Sequence, residues 1–306
     1  MTKVGVIIPF YSGQPYLFKL LNSIVELKSF YHLNIYIIDN SVDKDKLDKN
    51  FQFSSVQLIQ TKPGIGYGNA CNIGYKKCQK DAVDIAVIVN QDGYFKAGAL
   101  VHLVNTLISS NNDIISAMPL LTEYESDSVE AFFINVYLSK IPAIVSDMFA
   151  GRMKNYYEIP DLCGACFAFK LADFKDQPYL FDPIYHMYFE DADLYQRFKK
   201  LNKKIIIVHS AIFHHKHSHT ANINSRSIKE SVDFKVSSYL HSIIYSPRKF
   251  FRSIIGWLLL EWKRLIENIL MLNLRGLTEE VLACFGVFKK LSIIYKRKSE
   301  NHNNKK

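Results

Sequence analysis

The chain has 306 residues, 48% of them hydrophobic, with ordinary glycine and proline content, so it can bury a large core and is not intrinsically disordered. Its formal net charge is +9, and the whole excess lies in the last quarter: residues 226–306 carry 16 Lys and Arg against 7 Asp and Glu, whereas residues 1–225 carry 22 of each. Five irregularly spaced cysteines give no disulfide framework, and the opening MTKVGVIIPF meets polar turn residues without an apolar leader run, so reduced thiols in the cytoplasm are expected.

Residues 4–10 (VGVIIPF) read as a buried strand that stops around Pro9. From Tyr16 to Leu27, the residues Leu17, Leu20, Leu21, Ile24 and Leu27 recur at helical spacing and predict an amphipathic helix. Asn34–Asp39 predicts a second buried strand ending on an aspartate, and Val56–Gln60 a third. A glycine-rich turn leads into a helix over about 69–80, and Asp84–Asn90 predicts the next strand. This alternation predicts an α/β fold with a parallel sheet and helices on both faces, whose ligand crevice lies beyond the carboxyl ends of the strands. Asp39, Asn40, Asn90 and Asp92 fall there. Residues 120–160 show no clean period and are expected to hold a helix and a mobile loop.

Five segments carry polar chemistry. IIDNS places Asp39 at a strand end, where it suits either a base or ribose edge or an Asx turn. KPGIGYGNACNIGY lets backbone approach a ligand closely at Gly64 and Gly66 and then opens a helix, although it lacks the G-x-G-x-x-G spacing of dinucleotide sites. VNQDG sets Asp92 where one carboxylate and phosphate oxygens can hold a hard divalent cation, or where Asp-Gly simply turns the chain. In FDPIYHMYFEDADLYQR, the acids Glu190, Asp191 and Asp193 follow an aromatic run that can raise a carboxyl pKa toward acid–base work. HSAIFHHKHSHT follows a strand-like KIIIV run and offers imidazole ligands, while a single C-x-x-C (Cys163, Cys166) is too few thiols for a structural zinc site.

In order and spacing, VIIPFY, IIDNS, KPGIGYGNACN, VNQD, CGAC, FDPIYHMYFEDADLYQR and HHKHS resemble the motifs of glycosyltransferase family 2, and among them its rhamnosyltransferase-like branch. The resemblance covers roughly residues 4–220 and is most specific in the E-D-x-D-L-x-x-R block. It implies a GT-A fold, with a mostly parallel central sheet flanked by helices. Asp39 would contact the nucleotide base, and Pro9, Asn40, Gly64, Gly66, Asn72, Asn90 and Gln91 would line the nucleotide pocket. Asp92 and His214 would hold Mg²⁺ or Mn²⁺, with His215 and His217 as rival ligands. Asp191, beside Glu190, would be the general base. Asn90 stands where the first carboxylate of D-x-D is found in other members, and Gln91 where proline is usual. The implied activity is inverting, metal-dependent hexosyl transfer from a nucleoside-diphosphate sugar (dTDP-rhamnose or a UDP-hexose) to a glycan or lipid-linked oligosaccharide in bacterial surface polysaccharide synthesis. A sugar nucleotidyltransferase would need a basic, glycine-rich loop after the first strand, which VIIPFYSGQPY lacks. A non-catalytic basic membrane-binding module gives no reason for the acidic residues of the neutral region.

Domain boundaries are expected at 1–225 for the catalytic part and 226–306 for a basic, helical extension. From Phe250 to Leu272 the apolar residues share one helical face, and the longest run without a polar residue, Ile254–Leu260, is too short to span a bilayer. Two placements follow: a helix in the interface of an anionic membrane on its cytoplasmic side, or one packed on protein, including a second copy of the chain. Nucleic acid is not an expected partner.

Overall fold

Seven consecutive residues, Val4–Phe10, are buried, so strand β1 (Lys3–Phe10) can only be an interior strand covered on both faces. The computed structural model describes residues 1–12, 14–216 and 227–303. The chain divides into two compact units, Met1–Asp182 with Leu194–His217, and Pro183–Asp193 with Ser218–Lys306. The boundary expected at 225/226 lies outside the described residues. The second unit also takes in Pro183–Asp193, because Ile184 and Tyr185 share a core with Val236, Leu240 and Ile243.

The first unit begins β1, α1 (Gln14–Ile24), β2 (His32–Asp39), β3 (Val56–Gln60), α2 (Tyr67–Lys80) and β4 (Ile85–Val89). It continues with β5 (Gly93–Phe95), α3 (Ala99–Ser109), β6 (Ile114–Glu123), α4 (Ala131–Val136), α5 (Pro142–Phe149), β7 (Tyr157–Glu158) and β8 (Cys166–Lys170). Helix α6 (Glu190–Lys200) leads into β9 (Lys204–His215). The nine strands form one sheet in the order β3-β2-β1-β4-β8-β6-β9-β5, with β7 on β9. Its β3-β2-β1-β4 part is parallel, as is β6 with β9; β8 joins the two blocks by antiparallel pairing. The predicted first helix ends at Ile24 and its last turn, Val25–Ser29, tightens to a 3₁₀ helix that still buries Leu27. Residues 120–160, expected to hold a helix and a loop, instead contain the end of β6, two short helices and β7.

Close packing of α2 on β1 depends on glycine. A Cβ at Gly74 would lie 2.4 Å from Ile7 Cγ2 and 3.2 Å from its Cβ. Ile7 is fully buried and has no room to yield. Among the described residues of the second unit, α7 (Ile228–Tyr245), α8 (Phe250–Leu270), α9 (Leu274–Phe288) and α10 (Leu291–Asn303) follow one another. Helix α7 opens with a capping box between Ser227 and Glu230. Gly74→Ala is expected to lower stability by about 1–3 kcal/mol through overpacking. Urea denaturation checks this: an unchanged midpoint would mean α2 can move off β1.

Candidate active site

The first unit ends its parallel strands on a polar edge. Asp39 closes β2 fully buried, and its carboxylate accepts from the backbone of Ser41 (3.0 Å) and Leu47 (2.8 Å). This is an Asx turn with a second backbone donor, and it fixes the loop after β2. Asn40 is also engaged, donating from Nδ2 to Phe10 O at 2.8 Å, while its own carbonyl accepts from Gly64 at 3.0 Å. Pro9 is buried in β1 opposite Ile38. Gly64 and Gly66 have φ of +67° and +87°, the left-handed region that glycine enters without strain, and Gly66 stands at the N-cap of α2.

Two predicted pocket residues have structural tasks here. Asn72, expected beside the nucleotide, donates to Phe181 O (2.7 Å) and accepts from the amides of Leu180 and Phe181 (2.9 Å each). Arg197, the last residue of the E-D-x-D-L-x-x-R block, donates to the carbonyls of Tyr179 and Leu180. Together they clamp the chain just before Asp182. Gln91 accepts from Tyr11 N (2.7 Å) and donates to the carbonyls of Tyr11 (2.9 Å) and Ser12 (3.0 Å). It ties the loop after β1 to the end of β4. Ser12, held at φ +40°, also donates to Asp45.

Asp92 stands between β4 and β5, and Lys216 N donates to its carbonyl at 2.9 Å. Gly93 starts β5 opposite His215, and a Cβ there would meet the Phe213 ring at 2.2 Å, so no other residue fits that register. The pairing sets His215 Nε2 3.5 Å from Asp92 Oδ1 and 3.4 Å from Asn90 Nδ2. On its other side, His215 Nδ1 lies 2.9 Å from Glu130 Oε1. Burial opposes charge on this imidazole, but hydrogen bonds and Coulombic attraction from Asp92 and Glu130 outweigh it and raise the pKa to about 9. Two carboxylates thus make this a spot where positive charge is favoured.

His214, the ligand expected from the sequence, points elsewhere. Neighbouring strand residues face opposite sides of the sheet. Its Nδ1 lies 2.8 Å from Thr122 Oγ1 and 3.0 Å from Ser126 O, and its ring stacks on Tyr94 at 4.6 Å. His217 lies outside the described residues. Glu130 carries no motif signal: it is one of four acids between Glu123 and Glu130, in front of a six-residue helix, α4.

Among the described residues, no three His, Cys, Asp or Glu side chains converge as a metal cage. Asp92 and His215 nevertheless suit a divalent ion whose remaining ligands are phosphate oxygens, since Mg²⁺-type sites commonly use only one or two carboxylates beside substrate. The Glu130 contact on the far nitrogen of His215 is the outer-shell partner that metal-binding imidazoles generally have. Of the CGAC segment, Cys166 is fully buried, and burial followed by the nearby Cys163 pushes its thiol far up, which suits packing and not redox chemistry.

The second unit carries the acidic cluster. Tyr188 and Phe189 adopt φ of +67° and +64°, two successive bulky residues in the left-handed region, directly before Glu190. Helix α7 holds this backbone in place: Ser237 donates to Met187 O (2.6 Å), Phe234 packs on both aromatic rings, and Tyr245 donates to Asp193 (2.7 Å). Glu190 is buried, with Oε2 lacking any partner among the described residues. Burial first, and the Asp191 charge second, push its carboxyl up to about 8. Asp191 is half-buried and accepts from Ala192 N at 2.8 Å in the first turn of α6, where the helix dipole favours an anion.

Comparison with known proteins agrees with this architecture. GalNAc-T7, solved with UDP, GalNAc and Mn²⁺, is similar in structure with a TM-score of 0.58 at 14% identity, covering 82% of this chain and 50% of its own. S. aureus TarS 1-349 in complex with UDP-GlcNAc gives 0.51 at 14% identity over 82% of this chain and 69% of its own. Another S. aureus TarS structure gives 0.50 at 14% identity over 82% of this chain and 41% of its own. The chain therefore spans about half the length of GalNAc-T7. No curated protein sequence matches significantly. The family model described as Glycosyl transferase family 2 matches residues 5–177, more than half of the chain. With strand order, loop placement and family model in agreement, this chain belongs to glycosyl transferase family 2 and has the GT-A fold.

Proposed function

We propose that the protein transfers a sugar, with inversion, from a nucleoside-diphosphate sugar to a glycan or lipid-linked oligosaccharide acceptor. The observation that carries this reading is Asp92, just past the end of β4 in a family 2 sheet, facing His215, whose other ring nitrogen Glu130 holds. Asp92 and His215 would hold Mg²⁺ or Mn²⁺, which when bound stabilises the charge developing on the departing diphosphate. The loop of Gly64 and Gly66 and the N-terminus of α2 offer backbone amides to the nucleotide part. Asp39 and Asn40 shape the wall next to it.

Asp191 is the proposed general base. It takes the proton of the acceptor hydroxyl as that oxygen bonds to the anomeric carbon and the bond to the diphosphate breaks. Its neighbour supports the assignment, since Glu190 is held protonated at neutral pH and two carboxyls with separated environments divide such roles. Within the family we place the chain in the rhamnosyltransferase-like branch, with dTDP-rhamnose or a UDP-hexose as donor. The setting is surface polysaccharide synthesis at the cytoplasmic face of a bacterial membrane. A lipid-linked acceptor is supported by α4, which follows Glu130 directly, and by α5 after it; they expose Phe132, Met148 and Phe149.

Two measurements follow. Asp191→Asn keeps shape but accepts no proton, so transfer is expected to fall by about 10²–10⁴-fold while UDP or dTDP binding is retained. Turnover within a few-fold of wild type would remove Asp191 from the mechanism. Glu190 offers a thermodynamic check. Its folded pKa lies above the ordinary carboxylate value, so folding binds a proton between the two, and the associated stability, full below the unfolded pKa, is lost as pH rises toward about 8. Glu190→Gln should therefore gain stability relative to wild type between about pH 5 and about pH 8 in thermal melts. A pH-independent difference would show that Glu190 is not held protonated.

A further inference from the structure

Helices α8 and α9 are built inside out. The face that α8 turns into the second unit carries Ser253, Trp257, Glu261, Arg264 and Asn268, spaced three or four apart. Glu261, Glu279 and Glu280 are at most 8% exposed and are paired inward with Arg264, Arg275 and Lys235. Tyr239 of α7 joins them, donating to Glu280 at 2.7 Å and accepting from Arg264 at 2.8 Å. Sixteen of the thirty-one exposed large apolar residues described lie between Phe251 and Phe288, on the outward faces of these two helices and their turn. In water the sorting would run the other way. A patch of this extent marks an interaction surface.

The turn itself is the sharpest sign. Asn273 N bonds to Asn268 O (2.8 Å) and Leu272 N to Ile269 O (3.1 Å), the two hydrogen bonds of a Schellman ending. Its left-handed residue is nearly always glycine, yet here it is Leu272, at φ +51° and 84% exposed. Leu270, Met271 and Leu274 beside it are 76–78% exposed. The polar groups of the turn are satisfied internally: Asn273 caps α9 through Gly276 N and donates to Asn268. The large side chains that protrude from the turn, Leu270, Met271, Leu272 and Leu274, are all apolar.

Charge is sorted along the same hairpin. Trp257 of α8 packs on Phe288 of α9 at 5.6 Å, so the start of α8 and the end of α9 share the end opposite the Leu272 turn. Exposed Arg248, Lys249, Arg252 and Lys289 sit at that end. A recess of about 290 Å³ beside it includes Arg248 and Arg264 in its lining. Of the acids on α8 and α9, only Glu267 is exposed, and it pairs with Lys263 at 3.7 Å.

We propose that the α8–α9 hairpin is a membrane-docking element, its outer face and Leu272 turn entering the interface of an anionic bilayer and its basic end meeting phosphate headgroups. A protruding apolar tip suits a medium that yields to it, and the one-signed rim is complementary to anionic lipid, not to a second copy of itself. Neither helix is long and apolar enough to cross a membrane, and the proposal requires none to do so. It stands independently of the sugar transferred.

The test uses the full chain with vesicles of phosphatidylcholine alone or mixed with phosphatidylglycerol. Wild type is expected to sediment with the mixed vesicles, to be released by salt, and to shift the emission of exposed Trp262 to the blue; Trp257 is buried and reports no change. Met271→Ser, Leu272→Gly and Leu274→Ser combined should weaken partitioning by about tenfold or more. Leu272→Gly alone should weaken binding yet raise the melting temperature in buffer, since glycine relieves the positive φ; a packed leucine would give the opposite sign. Absence of wild-type binding to anionic vesicles would overturn the proposal, as would unchanged binding by the triple variant. A lipid-free dimer that the triple variant abolishes would assign the face to a second copy instead.

Discussion

The antiparallel pairing of β5 with β9 is the contact on which the candidate site depends. Three residues of β5 cannot hold a strand by themselves, and the pair forms because Gly93 leaves room for the Phe213 ring and Phe95 packs against that ring at 4.8 Å. That register brings a carboxylate from the end of β4 beside an imidazole at the end of the last strand, β9. Glu130, arriving from a third direction, then orients the imidazole from its other nitrogen. Shifting the pairing by one residue would exchange His215 for His214 and place Asp92 beside a ring already stacked on Tyr94.

The same register explains which features were legible in the sequence. β1, β2 and β4 are buried on both faces and read as continuous apolar runs, and α1 shows its buried stripe at Leu17, Leu20, Leu21 and Ile24. Strand β6 was not legible because its run is interrupted by Ser116 and Pro119. Ser116 is satisfied by donating to Ala168 O, and the β6–β9 register shifts between Pro119 and Leu120, where a proline can be tolerated. Choosing among the histidines needed a cross-strand register, which is a tertiary quantity. Asn72 and Gln91 stand out in the sequence only by motif position, and the structure engages both in backbone clamps, so a motif residue can serve a site by shaping it.

The acidic motif departs from expectation in a related way. Its carboxylates were expected at the end of a catalytic domain with the basic helices as an appendage. Instead the segment from Pro183 to Asp193 packs with α7, α9 and α10, and Lys290 donates to Ile184 O at 2.5 Å. The strained backbone at Tyr188 and Phe189 persists because Phe234 and Ser237 of α7 hold it. Helices at the C-terminus thus have two tasks: their inward residues position the acidic segment, and their outward residues form an apolar, basic-edged surface.

Isothermal titration of UDP and dTDP, with and without Mn²⁺, decides whether Asp92 and His215 hold the metal that binds the diphosphate. Mn²⁺-dependent nucleotide binding is expected of the wild type, with its loss in Asp92→Ala and in His215→Ala and its retention within a few-fold in His214→Gln. Nucleotide binding that ignores Mn²⁺, or that survives loss of His215 and fails with loss of His214, would contradict that assignment.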